Sequence, residues 1–316
     1  MSEKTVAAYI DDFGGVENVK IGEVELPEPG EGEVRVRIQT AGVNPVDAGI
    51  VQGYLDGRLP HHFPLIPGWD LSGVVEKCGF GARRFEPGDA VYAYARRPEV
   101  QWGTFAENTV IPESYLSKKP ESISYEEAGA IPLVGLTAYQ SLYEAGNLQG
   151  DQTVLILGAS GGVGTFAVQL AKARGANVIG IASEKNHPYM KDLGADETIT
   201  YEDTDIAKAV LDITSEGVDL IFDCTRGDTL GKSLQALKDG GKLVSITKSN
   251  PDIDSSVEFE YVFVEPNSKQ LDHLRELVDE RKIDVPISKT FSLDQTAEAL
   301  KQIQTLHTKG KIVIKP

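Results

Sequence analysis

From Val154 to Ile246 the chain alternates short, unbroken apolar runs with helical stretches, and this rhythm admits few folds. The runs are Val154-Leu-Ile-Leu157, Val178-Ile-Gly-Ile181, Leu220-Ile-Phe222 and Lys242-Leu-Val-Ser-Ile246. Runs this solid belong to strands buried on both faces of a parallel sheet, and each leads to the next through a helix with its own stop signal. Phe166, Leu170 and Ala171 share a face before Gly175, and Met190 and Leu193 precede Gly194. Both glycines sit where the residue after a helix turns left-handed. To about residue 117 the texture is different. Glu33-Val-Arg-Val-Arg-Ile38 alternates at period two, and Asp89–Tyr94 and Thr104–Ile111 are β-rich between Gly and Pro breaks, which predicts a rolled, mostly antiparallel domain. Helices over Lys269–Arg281 and Asp294–Leu306 lead to the strand Lys311–Lys315, which has no evident partner in the α/β region and is expected to return to the first domain. A chain of 316 residues has the length for two such cores.

Directly after the run ending at Leu157 comes Gly158-Ala-Ser160-Gly161-Gly162-Val163-Gly164, and a helix opens on it. Strand, glycine loop and helix in this order are what dinucleotide binding requires. Backbone without Cβ approaches a pyrophosphate, whose charge rests on the free N–H groups at the positive end of the helix. A glycine-rich turn that only packs helix on sheet is the plain alternative. About 20 residues on, an NAD site places an acid on the ribose diol. Here the second strand ends at Ala182 and continues Ser183-Glu184-Lys185. A hydroxyl and a cation suit a 2′-phosphate and favour NADPH, with Glu184 as the competing ribose acid.

Thirty-one Lys and Arg against 48 Asp and Glu give a net charge of −17, which repels nucleic acid and anionic lipid over most of the surface. Any phosphate must be held locally. Two cysteines, Cys78 and Cys224, are too few for a disulfide framework or a structural zinc cluster and read as free thiols. With no apolar run near the length needed to span a bilayer and no basic-then-apolar N-terminal segment, the chain reads as cytoplasmic.

The motifs Ala41-Gly-Val-Asn44-Pro-Val-Asp47, Ile66-Pro-Gly-Trp69-Asp70-Leu-Ser-Gly73, Gly88-Asp-Ala-Val91, Gly103-Thr-Phe-Ala-Glu107, Pro132-Leu-Val-Gly135-Leu-Thr137-Ala-Tyr139, the glycine loop, Leu193-Gly-Ala-Asp196 and His307-Thr-Lys-Gly310-Lys311 together resemble the medium-chain dehydrogenase/reductase superfamily. The likeness runs along nearly the whole chain and is strongest to the zinc-free, zeta-crystallin-like quinone oxidoreductase branch. It implies a GroES-like β-rich catalytic domain from residues 1–123 and 267–316, a Rossmann doubly wound parallel-sheet NADP-binding domain from 124–266, and an active site in the cleft. It also implies a homodimer, and Glu258–Val264 reads as an aromatic edge strand that would be a liability unpaired. Zinc-dependent members hold their metal with an early cysteine, the histidine of Gly-His-Glu and a later cysteine. Here the matching places read Asn44-Pro45 and Gly68-Trp69-Asp70, which offer neither thiolate nor imidazole, so no metal is expected.

Hydride transfer needs a donor placed beforehand for the charge that develops on the substrate oxygen. The resemblance puts Asn44 beside nicotinamide and substrate, where its amide N–H groups would polarise a quinone or enone carbonyl; forming the turn before Pro45 is its plainer role. Asp47 is expected to position that loop or the cofactor ribose, or to cap a helix. Tyr54 would line the substrate pocket and donate a hydrogen bond or proton, or simply pack. By the same resemblance Thr137 serves the nicotinamide region, Gly158, Ser160, Gly161, Gly162, Val163 and Gly164 the pyrophosphate, Ser183 and Lys185 the 2′-phosphate, and Tyr201 the adenosine side. Phe263 and Val264 would offer backbone groups to the carboxamide, Lys309 a point charge, and Cys224 a border to the cofactor. The expected activity is NADPH-dependent, zinc-independent reduction of quinones or α,β-unsaturated carbonyls. A dedicated double-bond reductase and a cofactor-binding sensor or structural protein with little turnover are the alternatives.

Overall fold

A computed structural model describes residues 3–202, 204–306 and 308–316; His307 of the tail motif lies outside the described residues. Two compact units emerge. One holds the chain up to Leu133 with Glu265–Arg281 and Val285–Pro316, the other Val134–Val264 with Lys282–Asp284.

The first unit is built on strands β1 (Glu3–Tyr9), β2 (Lys20–Leu26), β3 (Glu33–Val43), β4 (His61–Ile66), β5 (Asp70–Cys78), β6 (Ala90–Tyr94), β7 (Val100–Trp102), β8 (Asn108–Pro112) and β9 (Leu116–Lys118). Helix α1 (Pro45–Val51) follows β3 and α2 (Tyr125–Gly129) follows β9, and α3 (Pro132–Tyr139) carries the chain on into the second unit. β1 pairs with β2 and β4 with β7. The alternation read at residues 33–38 puts Val34, Val36 and Ile38 in the core, and it makes β3 the centre of the main sheet, paired antiparallel with β5 and β8.

The second unit opens with β10 (Thr153–Leu157), whose Val154, Leu155, Ile156 and Leu157 are all completely buried. Helix α4 (Gly162–Arg174), β11 (Asn177–Ala182), α5 (His187–Asp192), β12 (Glu197–Thr200), α6 (Ile206–Ile213), β13 (Val218–Asp223), α7 (Thr229–Ser233), β14 (Leu237–Ser245) and β15 (Glu258–Tyr261) complete it. The strands lie in the order β12-β11-β10-β13-β14-β15, all parallel. This is the doubly wound order, with its switch point between the first and fourth strands, here β10 and β13. Gly175 ends α4 in the left-handed conformation at φ 89°. The edge strand stops at Tyr261, short of the expected Val264, because its partner β14 ends at Ser245, whose carbonyl takes the last ladder bond from Val262 N–H.

The chain then returns to the first unit through α8 (Ser268–Asp279), β16 (Ile287–Ser292), α9 (Thr296–Gln304) and β17 (Lys311–Lys315). β17 runs antiparallel against Ala41–Val43 of β3 and parallel to β16, which supplies the partner missing from the α/β region. The main sheet is therefore seven-stranded. It brings the last strand of the sequence against the end of β3, where α1 begins.

Candidate active site

Asn44 lies between β3 and α1 with an extended backbone and is 1% exposed. Its N–H donates to Asp47 Oδ2 at 2.7 Å, so Asp47 caps the start of α1. That leaves the Asn44 side chain for other work. Nδ2 donates to Asp70 Oδ2 at 2.8 Å and Oδ1 accepts from Lys311 Nζ at 2.6 Å. Lys311 also donates to the Val43 carbonyl at 3.0 Å and stands 3.7 Å from Asp70 Oδ2. Asp70 Oδ1 accepts from Leu133 N–H at 2.7 Å. Room for the Asp70 carboxylate comes from Gly42, where a Cβ would meet it at 2.8 Å and the Gly129 carbonyl at 2.5 Å.

Burial dominates the charge states in this cluster. It pushes the Asp70 carboxyl up from 3.8 to about 6, against the pull of Lys311, Asn44 and the Leu133 N–H. Asp47 is raised well above its ordinary range by burial, offset by the Asn44 N–H and reinforced by the Asp70 charge. Its Oδ1 meets no hydrogen-bond donor among the described residues, so the ionised form is poorly solvated. Burial also lowers the Lys311 ammonium, while Asp70 and Asp47 raise it. Because the folded protein holds the Asp70 proton more tightly than the unfolded chain does, stability falls as pH rises from about 4 to about 6. Across that window the wild type is expected to lose on the order of 3 kcal/mol relative to Asp70→Asn, at 1.36 kcal/mol per pKa unit. Denaturant unfolding at each pH reads this difference, and parallel stability curves would contradict it.

Tyr54 follows α1 and is 62% exposed, with the Arg58 guanidinium 5.0 Å from its ring centroid. No hydrogen bond joins it to Asn44 or Asp47. Trp69, in the place where zinc-dependent relatives carry histidine, is buried with its ring edge-on to Tyr94, centroids 6.0 Å apart. Among the described residues no three His, Cys, Asp or Glu side chains are grouped to hold a metal ion.

In the second unit the glycine loop leaves β10 at its C-terminal end. Gly158 has φ 79°, Gly161 caps α4, and Gly164 packs so closely that a Cβ would lie 2.2 Å from the Gly158 carbonyl. At Gly161 a Cβ would meet nothing nearer than 3.4 Å. The loop thus has one glycine imposed by packing and another where a Cβ would make only ordinary contact with the Gly158 carbonyl, so that its absence there leaves backbone open to a pyrophosphate. Ser160 and Ser183 are joined by Asn186, whose Nδ2 donates to their hydroxyls at 3.1 and 3.2 Å. Glu184 and Lys185 beside them are exposed. Cys224 and Thr225 border Gly158. Desolvation and the Asp223 charge push the Cys224 thiol well above its ordinary value, which disfavours the thiolate. Tyr201 stands just past β12, 43% exposed. Thr137 is buried in α3, and Phe263 and Val264 follow β15. In the first unit, Lys309 occupies the turn before β17.

Four residues of these sites escaped the sequence reading as functional groups: Asp70, Lys311, Asn186 and Asp223. Fully buried Asp223 accepts from Thr225 N–H and Oγ1 at 3.0 and 2.6 Å and from Ser245 Oγ at 3.0 Å, tying together the ends of β13 and β14 beside the glycine loop.

The two units define a dehydrogenase-type oxidoreductase with a GroES-like and a Rossmann part. Residues 30–121 match the alcohol dehydrogenase GroES-like domain, and residues 193–314 match the family described as zinc-binding dehydrogenase. The mitochondrial NAD(P)H oxidoreductase RTN4IP1 of Danio rerio is 32% identical over 89% of this chain and 83% of its own length. The chloroplast envelope quinone oxidoreductase homolog of Arabidopsis thaliana is 31% identical over 96% and 95%. The solved quinone oxidoreductase of Coxiella burnetii superposes with a TM-score of 0.87 at 30% identity, covering 99% of this chain and 100% of that one. The chain belongs to the medium-chain dehydrogenase/reductase superfamily, in its quinone reductase-like branch, and is an NAD(P)H-type oxidoreductase acting on a small molecule. Among the described residues no helix is long and apolar enough to cross a membrane.

Proposed function

We propose that the protein reduces quinones or α,β-unsaturated carbonyls with NADPH, by direct hydride transfer and without a metal. The observation that carries this reading is the Asn44 amide. One of its two N–H groups is taken by Asp70, and the other has no protein acceptor among the described residues, which leaves a buried, oriented donor for a substrate oxygen. Where a zinc-dependent relative would offer thiolate and imidazole, this chain offers Asn44 and Trp69, and neither side chain suits zinc.

The glycine loop, Ser160, Ser183 and Lys185 would hold the phosphates of the cofactor, with Thr137, Tyr201, Cys224, Phe263, Val264 and Lys309 bordering it. When bound, the dinucleotide supplies the hydride. The remaining work falls to the chain. Asn44 fixes the acceptor carbonyl and stabilises its developing charge, Asp47 holds the Asn44 backbone, and exposed Tyr54 offers its ring to a planar substrate. β15 stands at the end of its sheet among the described residues, and an edge strand there supports a homodimer.

NADPH and NADH oxidation over quinones, enones, alkenals and simple aldehydes, with and without chelator, tests the reading. Chelator-resistant turnover of quinones or enones with preference for NADPH is expected. Lys185→Ala should raise the KM for NADPH about tenfold, the worth of one charge-assisted hydrogen bond, and leave NADH within about twofold. Equal loss for both cofactors refutes the phosphate assignment. Tight NADPH binding with no turnover would favour the sensor reading.

A further inference from the structure

We infer that Lys311 is a positioning residue for the reduction: it fixes the Asn44 amide in one orientation and, through that amide, brings positive charge to bear on the substrate oxygen. The inference rests on the assignment of the substrate oxygen to Asn44 made above.

Three observations carry it. First, Lys311 is 3% exposed, and a buried ammonium costs several kcal/mol of desolvation. The neighbouring strand positions Ile312, Val313 and Ile314 are filled by apolar core side chains, so packing alone does not call for a lysine. Second, its donors are all directed at polar groups around Asn44: Asn44 Oδ1 at 2.6 Å, the Val43 carbonyl at 3.0 Å, and Asp70 Oδ2 at 3.7 Å. Third, Asp70 and Lys311 meet opposite ends of the amide. A flipped amide would set Nδ2 against the ammonium and Oδ1 against the carboxylate, two repulsive contacts in place of two hydrogen bonds. Only one orientation survives, and it leaves the second Nδ2 N–H without a protein acceptor among the described residues.

A cation on the oxygen of an amide draws charge from its nitrogen and strengthens the N–H as a donor. The charged groups facing Lys311 are Asp70 from β5 and Asp47 from α1. Lys311 touches neither substrate nor cofactor in this scheme, and its effect passes through Asn44.

The test is a double-mutant cycle of Lys311→Met and Asn44→Ala, read with an enone or quinone. Lys311→Met is expected to lower kcat at least about tenfold while KM for the acceptor moves less than about twofold, the pattern of an interaction made in the transition state. The double variant should be no slower than Asn44→Ala. A rate for Lys311→Met within about twofold of wild type, or effects that multiply in the double variant, overturns the inference. Where Lys311→Met yields no folded protein, Lys311→Gln is read by the same criteria. If Asn44→Ala keeps the wild-type rate, the assignment of Asn44 itself falls. If Asn44→Ala is slow and Lys311→Met is fast, only the role of Lys311 falls. A readout without turnover is p-nitrophenol bound in the presence of NADP+. Wild-type protein should favour its phenolate, and Lys311→Met should reverse that preference about tenfold, or one pKa unit. Equal phenolate fractions in the two proteins overturn the inference.

Discussion

Gly164→Ala is expected to cripple the second unit. Its new Cβ would lie 2.2 Å from the Gly158 carbonyl and 2.6 Å from Ala159 Cα, both backbone atoms that cannot swing aside. The helix must back away from β10, and overpacking of this kind costs about 3 kcal/mol. For a unit of this size that lowers the thermal midpoint by about 10 °C, and NADPH affinity should fall at least about tenfold as the loop shifts off its N–H geometry. Gly161→Ala is the control. Its Cβ meets nothing nearer than 3.4 Å, so the midpoint should stay near wild type while cofactor affinity drops. Calorimetry with cofactor titration reads both. A Gly164→Ala protein with wild-type midpoint and affinity would contradict the close packing of helix on strand.

Asn44→Ala is expected to lower kcat about a hundredfold, the usual loss for one preorganised donor at a developing oxyanion, with NADPH affinity within about threefold. Stability should also suffer, because Lys311 Nζ and Asp70 Oδ2 each lose a buried partner, at about 1–3 kcal/mol. Rates measured at saturating acceptor and well below the midpoint separate the two effects. A folded Asn44→Ala enzyme with wild-type kcat would remove Asn44 from the chemistry.

Much of the second unit was legible because its signals are local. The four apolar runs became strands of one sheet, and the glycine loop fell between strand and helix within a dozen residues. Asn44 and Asp47 were legible as a pair for the same reason, since the cap that joins them spans three positions. The partners that give Asn44 its orientation were not. Asp70 is 26 residues away and Lys311 is 267, and a lysine opening a short strand reads as a surface residue until β17 is seen to pair with β3. The available clue was a last strand without a partner, which located the strand but not the chemistry at its first residue. Asp223 was not legible beside Cys224 because its donors come from Thr225, Ser245 and Thr247, the last two 22 and 24 residues along the chain. The edge strand was read too long because sequence shows its own apolar content and not where its partner ends.

Central to this picture is hydride transfer to an electrophilic double bond without a metal. The most direct measurement supplies NADPH deuterated at both C4 positions to chelator-treated protein with an enone, and follows the label by mass spectrometry. Deuterium at the β-carbon of the saturated product, at a rate unchanged by the chelator, is the expected result. Oxidised cofactor with no label in the product, or turnover that vanishes on chelation and returns with zinc, would contradict it.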